Sequence, residues 1–297
     1  MIIREPAVAG RFYSGDRAGC EAELRECLDR AARPSGSAEP VPDEKTILGG
    51  IVPHAGWICS GAVAARVFKA IADSRQPAAI VIFGAIHVPH GPAASLFDGG
   101  AWETPLGLAE VDARLANRLH SQTGLMEVDP HAHENEHSIE VEVPFIQQLM
   151  PNTMIVPIMV PPNENAVPLG AAIGRTAKSY GADVVFIAST DLTHYGPGYG
   201  FLPHGRGGAG LRWAKEVNDR RMIDAIRALR ESEVVDEAKA NQNACGAGAV
   251  AATLAACRAC GATRATLLEP TTSFDVLSDR YPEPMTDAVG YAAMLIH

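Results

Sequence analysis

The chain has 297 residues, of which 47% are hydrophobic and 20% charged. This is the composition of a globular protein long enough to bury a large core. The formal charge of −10 disfavours phosphate backbones and anionic membranes, so nucleic acid and membrane partners are not expected. No apolar stretch approaches the ~18 residues a spanning helix needs. The opening Met1-Ile-Ile-Arg-Glu5 has no basic segment leading into an apolar core, so no secretory signal is expected. The six cysteines are scattered without a disulfide framework, as in a reduced, cytoplasmic protein.

In chain order, Arg4-Glu-Pro-Ala-Val-Ala-Gly-Arg-Phe-Tyr13 reads as an extended segment. Leu24 and Leu28, at i and i+4, predict a helix over 16–32, and residues 34–42 form a linker-like loop too early to separate two domains. A buried strand over 47–53, a helix to 71 and a second strand over 78–86 make a βαβ unit with parallel pairing and a right-handed crossover. A helix over 111–120 follows a glycine-containing loop, and 129–140 is the densest polar cluster of the chain. Pro157 interrupts the apolar run 154–160, which predicts an edge strand or a bulge. A helix over 166–180 leads to a strand ending near Asp191, and the glycine- and proline-rich loop 196–210 is placed to cover a site. Helices over 211–230 and 246–259 and strands over 265–270 and 288–296 complete one α/β domain, 1–297, with a mainly parallel or mixed sheet flanked by helices.

Chemistry concentrates at strand ends. Three buried runs deliver His54, His87 and the pair Asp191 and His194, and in open α/β sheets sites form at the carboxyl ends of strands. Neutral imidazole is the commonest protein ligand for first-row metals, and two adjacent parallel strand ends could hold His54 and His87 at one ion. Asn243 reads as the N-cap of the alanine-rich helix, which puts Cys245 in its first turn, where the helix dipole favours a thiolate. Asp191 and His194 could supply a carboxylate and an acid–base imidazole. His131 and His133 are expected on a solvated loop. His137, beside the apolar stretch 139–146, is expected to support the site. Cys257 and Cys260 lie in a helical pattern and read as a small-residue packing face. There is no GxxxxGK[ST], no GxGxxG placed between a strand and a helix, and no GxSxG elbow.

Several of these residues recur in a specific order. Pro53-His-Ala-Gly56 with Ser60-Gly61, Gly84-Ala-Ile-His87, Glu136-His-Ser-Ile-Glu140, Ser189-Thr-Asp-Leu-Thr-His194-Tyr-Gly196 and Ala244-Cys-Gly246 resemble the Memo family (the AmmeMemoRadiSam system protein B type). The opening Arg4–Tyr13 segment and Val289-Gly-Tyr291 resemble it too, so the likeness covers essentially the whole chain. The resemblance implies a fold similar to class III extradiol dioxygenases, which are non-haem iron enzymes. It implies one transition-metal ion, iron foremost with copper or zinc as alternatives, held by His54, His87 and Cys245. His194 and Asp191 would be catalytic, with His137 and Glu140 behind the ligands.

Cys245 stands where those dioxygenases have a carboxylate, and a thiolate alters the redox potential and the metal preference. The resemblance therefore implies redox or oxygenase-type chemistry on an unknown small molecule or peptide. A different class, a non-catalytic scaffold binding a peptide or small anion in the inherited pocket, stands as the alternative, and a metal-assisted hydrolase is a third reading. The animal member's link to cell motility through a phosphopeptide fits the scaffold reading. Microbial relatives suggest a functional link to a radical-SAM protein and an AMMECR-type protein.

Overall fold

The computed structural model describes residues 2–33, 47–181, 183–278 and 286–297; the linker-like loop 34–42 lies outside the described residues. In chain order the strands are β1 (Ile3–Arg4), β2 (Gly49–Val52), β3 (Ala79–Gly84), β4 (Ala94–Leu96), β5 (Ala101–Thr104), β6 (Gly107–Glu110), β7 (Met126–Val128), β8 (Met154–Met159), β9 (Val184–Ser189), β10 (His194–Tyr195), β11 (Ala265–Thr272) and β12 (Ala288–Ile296). β2, β3 and β9 are buried at every position. Such continuous apolar runs mark strands covered on both faces. Alternate side chains feed opposite cores: Val81, Phe83 and Phe186 pack on one face, Ile80, Ile82, Val185 and Ile187 on the other.

The main sheet is mixed, in the order β10-β12-β2-β9-β3-β8-β4-β7, with β11 also paired to β12. Its centre, β2-β9-β3-β8, is parallel, while β12 runs antiparallel to β2. β2 and β3 are therefore not neighbours. β9 lies between them, so the expected adjacent pair of histidine-bearing strand ends is a set of three strand ends with Ser189 in the middle. Pro157 also departs from expectation, since β8 is interior, between β3 and β4. The Pro157 carbonyl accepts the Phe97 N–H, so its missing donor faces the β4 side. The β4–β8 ladder there covers only Ile158 and Met159, and the proline falls where pairing has ended.

Asp16 accepts the Gly19 N–H and caps α1 (Arg17–Ala31). α1 packs on α2 (Trp57–Ser74). α3 (Ala113–Thr123) opens on an Asp112 cap, and α4 (Val143–Leu149) follows the polar cluster. α5 (Ala166–Tyr180) lies on the opposite face of the sheet from α1 and α2. The helix expected over 211–230 forms as one continuous helical run over 208–227, in which α6 (Gly208–Trp213) passes through a π-turn over Ala214–Asn218 into α7 (Asp219–Arg227), and α8 (Glu231–Asn241) follows as a separate helix.

α9 (Ala247–Cys260) packs closely on α5. A Cβ on Gly170 would meet the Ala252 carbonyl at 2.1 Å, and one on Gly174 the Ala256 carbonyl at 2.3 Å. Cys257 is buried in this small-residue face and Cys260 Sγ reaches the Gly174 carbonyl, in keeping with a packing role. The short strands β1, β5 and β6 form a separate small sheet. Among the described residues no helix is long and apolar enough to cross a membrane.

Candidate metal centre

Val52 at the end of β2 is paired with Ser189 at the end of β9, so the turn carrying His54 lies directly beside Ser189. Asp191 Oδ1 accepts the His54 N–H at 2.8 Å and pins that turn. The His54 ring is buried, with Nδ1 2.8 Å from Ser189 Oγ and Nε2 3.1 Å from Cys245 Sγ. Burial first, then the neighbouring His87 and His137, holds its pKa well below the ordinary value, so the imidazole is neutral.

His87 follows β3. Its Nδ1 donates to Glu136 Oε1 at 2.9 Å and its backbone N–H to Glu136 Oε2 at 2.6 Å, while Ser138 N–H also donates to Oε1 at 2.9 Å. Burial alone would raise the Glu136 carboxyl; these hydrogen bonds overcome it and hold the pKa at about 2. The carboxylate leaves His87 Nε2 as the free nitrogen, the usual way an outer carboxylate orients a histidine ligand. His137 stacks on His87 at 4.5 Å between ring centroids and stands 5.4 Å from His54, with its pKa pushed to about 4 by burial and then by His87.

His54, His87 and His137 together form a group that could hold a metal ion, one nitrogen of each lying within 4.8 Å of the others. The side chains of His87 and His137 keep 32% and 20% exposure, so the group is open to solvent on that side. Here the structure adds to the sequence reading: His137, expected behind the ligands, stands beside His54 and His87 in this group.

Cys245 reaches the same place from another direction. The first helical residue of α9 is Ala247 and its cap is Gly246, so Cys245 lies before the helix rather than in its first turn. Asn243 is no cap; it donates to the Asn218 carbonyl and to Glu237 Oε1. The Cys245 sulfur accepts the Asp191 N–H at 3.2 Å. Burial, followed by the Asp191 charge, pushes the thiol pKa up, against the lowered value expected from a helix start.

Asp191 is itself raised to about 7, by burial opposed by the His54 N–H. Its carboxyl serves the His54 turn, which makes it a positioning group. His194 donates from Nδ1 to the Leu192 carbonyl at 3.1 Å, since a carbonyl can only accept, and this leaves Nε2 as an acceptor. Burial lowers its pKa, so it is a neutral base. His194 and Cys245 line one cavity of about 410 Å³, walled by Tyr199, Phe201 and Val235, with exposed Lys239 on its edge. The glycine-rich loop thus contributes Tyr199 and Phe201 beside His194, as its position after Asp191 suggested.

Two further expectations fail. Glu140 does not support the centre. It is buried in an ion pair with Arg4 and accepts from Ala7 N, Val8 N and Tyr13 Oη, so it fastens the N-terminal segment. Glu136, four residues earlier and in the same motif, has the supporting role. His131 is exposed as expected, but His133 is fully buried, its ring against Phe97 and Trp102 and its Nε2 on the Ser95 carbonyl. The apolar surface that receives it comes from strands more than 30 residues away, which local polarity cannot signal.

The fold and site define an α/β protein with a three-histidine group at the carboxyl edge of a mixed sheet. The model of the Memo-like protein family matches residues 4–295. The chain is 38% identical to a MEMO1 family protein of Methanothermobacter thermautotrophicus, covering 98% of this chain and 99% of that protein. It is also 38% identical to a MEMO1 family protein of Thermococcus onnurineus, over 99% of each. A solved structure of an uncharacterized protein from Escherichia coli K12 aligns with a TM-score of 0.47 at 12% identity, covering 77% of this chain and 91% of that one. The chain belongs to the Memo-like family.

Proposed function

We propose that this protein binds one transition-metal ion through His54 and His87 with Cys245, and uses it for redox or oxygenase-type chemistry on a small molecule. The observation that carries the reading is the approach of Cys245 Sγ to His54 Nε2 at 3.1 Å, beside the three-histidine group. Nitrogen and sulfur ligands at about 2.0–2.3 Å from one ion lie roughly 3–4 Å apart. Imidazoles with a thiol suit iron, copper or zinc, with iron favoured by the family resemblance. When bound, such an ion supplies electron transfer or activation of dioxygen.

The chain's own residues do the rest. Asp191 holds the His54 turn, Glu136 aims His87, and neutral His194 takes a proton in the cavity that Cys245 shares. His137 completes the donor set or shields its open side. The cavity wall is mostly apolar with Lys239 at the edge, which suits a substrate with an apolar body and an anionic end. The proposal places the protein in a reducing cytoplasm, where its thiols stay free, and keeps the radical-SAM and AMMECR-type proteins as functional partners.

Elemental analysis of protein purified without oxygen tests the centre. Wild type should carry about one ion per chain and His54→Ala clearly less. Equal metal content in the two proteins would remove the site. If chelation leaves the affinity of the cavity for an organic anion such as phenylacetate unchanged, and no redox turnover follows metal loading, the scaffold reading replaces this one.

A further inference from the structure

Behind His54 lies a buried polar chain that the metal reading does not use. Ser189 Oγ contacts three groups: His54 Nδ1 at 2.8 Å, the Ser138 carbonyl at 2.6 Å and Glu142 Oε1 at 3.3 Å. A hydroxyl has one proton to give and two lone pairs to receive with. The carbonyl of Ser138 can only accept, and it is the shortest contact, so the hydroxyl proton goes there. Ser189 Oγ must then receive at its other two contacts. His54 Nδ1 supplies a proton to one, and a protonated Glu142 supplies a proton to the other.

The surroundings of Glu142 agree. Its side chain has no exposure, and Oε2 lacks a hydrogen-bond partner. A carboxylate buried with a bare oxygen would bear a large desolvation cost, whereas the neutral acid bears little. Burial raises its pKa well above the ordinary value, opposed by the Ser189 contact and reinforced by the Asp191 charge.

We infer that Ser189 is a positioning residue: with its proton given to the Ser138 carbonyl and a neutral Glu142 acid behind it, it fixes His54 as the Nδ1–H tautomer and leaves Nε2 bare toward Cys245. The inference rests on the proposed metal site only for its consequence. The tautomer itself belongs to the metal-free protein. It also makes the two histidines unequal. His87 is backed by an ionised carboxylate, which strengthens an imidazole as a donor, whereas His54 is backed by a neutral hydroxyl.

The test reads tautomer and affinity separately. In metal-free wild type with labelled histidines, long-range ¹H–¹⁵N correlation should place the His54 proton on Nδ1. Glu142→Gln, whose amide still donates to Ser189, should keep that pattern and bind Zn²⁺ within about 2-fold of wild type in a chelator competition. Ser189→Ala should lose the single tautomer and bind Zn²⁺ about 10–100-fold more weakly. Ser189→Thr, which keeps the hydroxyl, should keep both, and it serves as the second probe if Ser189→Ala does not fold.

A proton on Nε2 of wild-type His54 overturns the inference. So does a Glu142→Gln protein as impaired as Ser189→Ala, since that would require an ionised carboxylate. If wild type shows the Nδ1–H tautomer but binds no Zn²⁺, the metal reading fails and the tautomer assignment survives.

Discussion

Replacing Glu136 by Gln isolates the carboxylate behind His87. Folding takes this group from an ordinary carboxyl pKa of 4.5 to about 2, and each pH unit corresponds to about 1.4 kcal/mol. The carboxylate therefore contributes about 3 kcal/mol to stability at pH 7. Its 1% exposure leaves little solvent to screen the interaction. A depressed carboxyl stabilises fully above its unfolded pKa and loses that contribution as pH falls through the folded one. By pH 3 somewhat less than half remains. The amide costs something at every pH, because Glu136 accepts N–H groups at both oxygens and Gln must turn its NH₂ toward one of them.

The informative quantity is thus the difference between proteins as pH changes. Urea unfolding in the presence of chelator, followed by tryptophan fluorescence, should show Glu136→Gln less stable than wild type by at least about 3 kcal/mol at pH 7. The gap should narrow by about 2 kcal/mol at pH 3. Titration of groups remote from Glu136 is common to both proteins and cancels, whereas His87 and His137, which face this carboxylate, titrate together with it. A gap equal at the two pH values would refute an ionised Glu136.

Arg4→Met leaves Glu140 buried without its cation and should cost about 3–5 kcal/mol, read by thermal or urea unfolding; a loss under 1 kcal/mol would mean that Glu140 finds another partner. Gly170→Val drives a side chain into the Ala252 carbonyl of α9 and should destabilise by about 1–3 kcal/mol, whereas Ala209→Val at an exposed position should be nearly silent. Cys245 in metal-free protein should react slowly with iodoacetamide at pH 7, because its thiol is held protonated, and faster as pH rises toward 10. Bound Zn²⁺ should block the reaction at all pH values; alkylation at one rate with and without metal would show that the sulfur is not a ligand.

Much of this architecture could be read locally. Unbroken apolar runs ending at His54, His87 and Asp191 mark buried strands with polar ends, and the structure buries β2, β3 and β9 throughout. Asp16 marks a helix start that forms as read, and the alanine- and glycine-rich pattern of 246–259 marks a helix that packs at close range. What sequence could not supply was short or distant. β4, β5 and β6 have only three or four residues each, too few for a period to emerge. The π-turn at 214–218 widens one turn of a continuous helix, which the apolar spacing on either side does not announce.

The chain alone thus determined which residues are candidates for chemistry, because imidazole, thiol and carboxyl groups at the ends of apolar runs are a property of local order along the sequence. Which of them meet was decided only by tertiary structure. The insertion of β9 between β2 and β3 sets Ser189 against His54, across 135 positions, and Glu136 rather than Glu140 against His87 is settled by which carboxyl Arg4 takes up from 136 positions away. Such pairings depend on strand order and on the joint burial of segments far apart in the chain. Local periodicity holds no record of either, because it reports which face of an element is apolar and not what that face will cover.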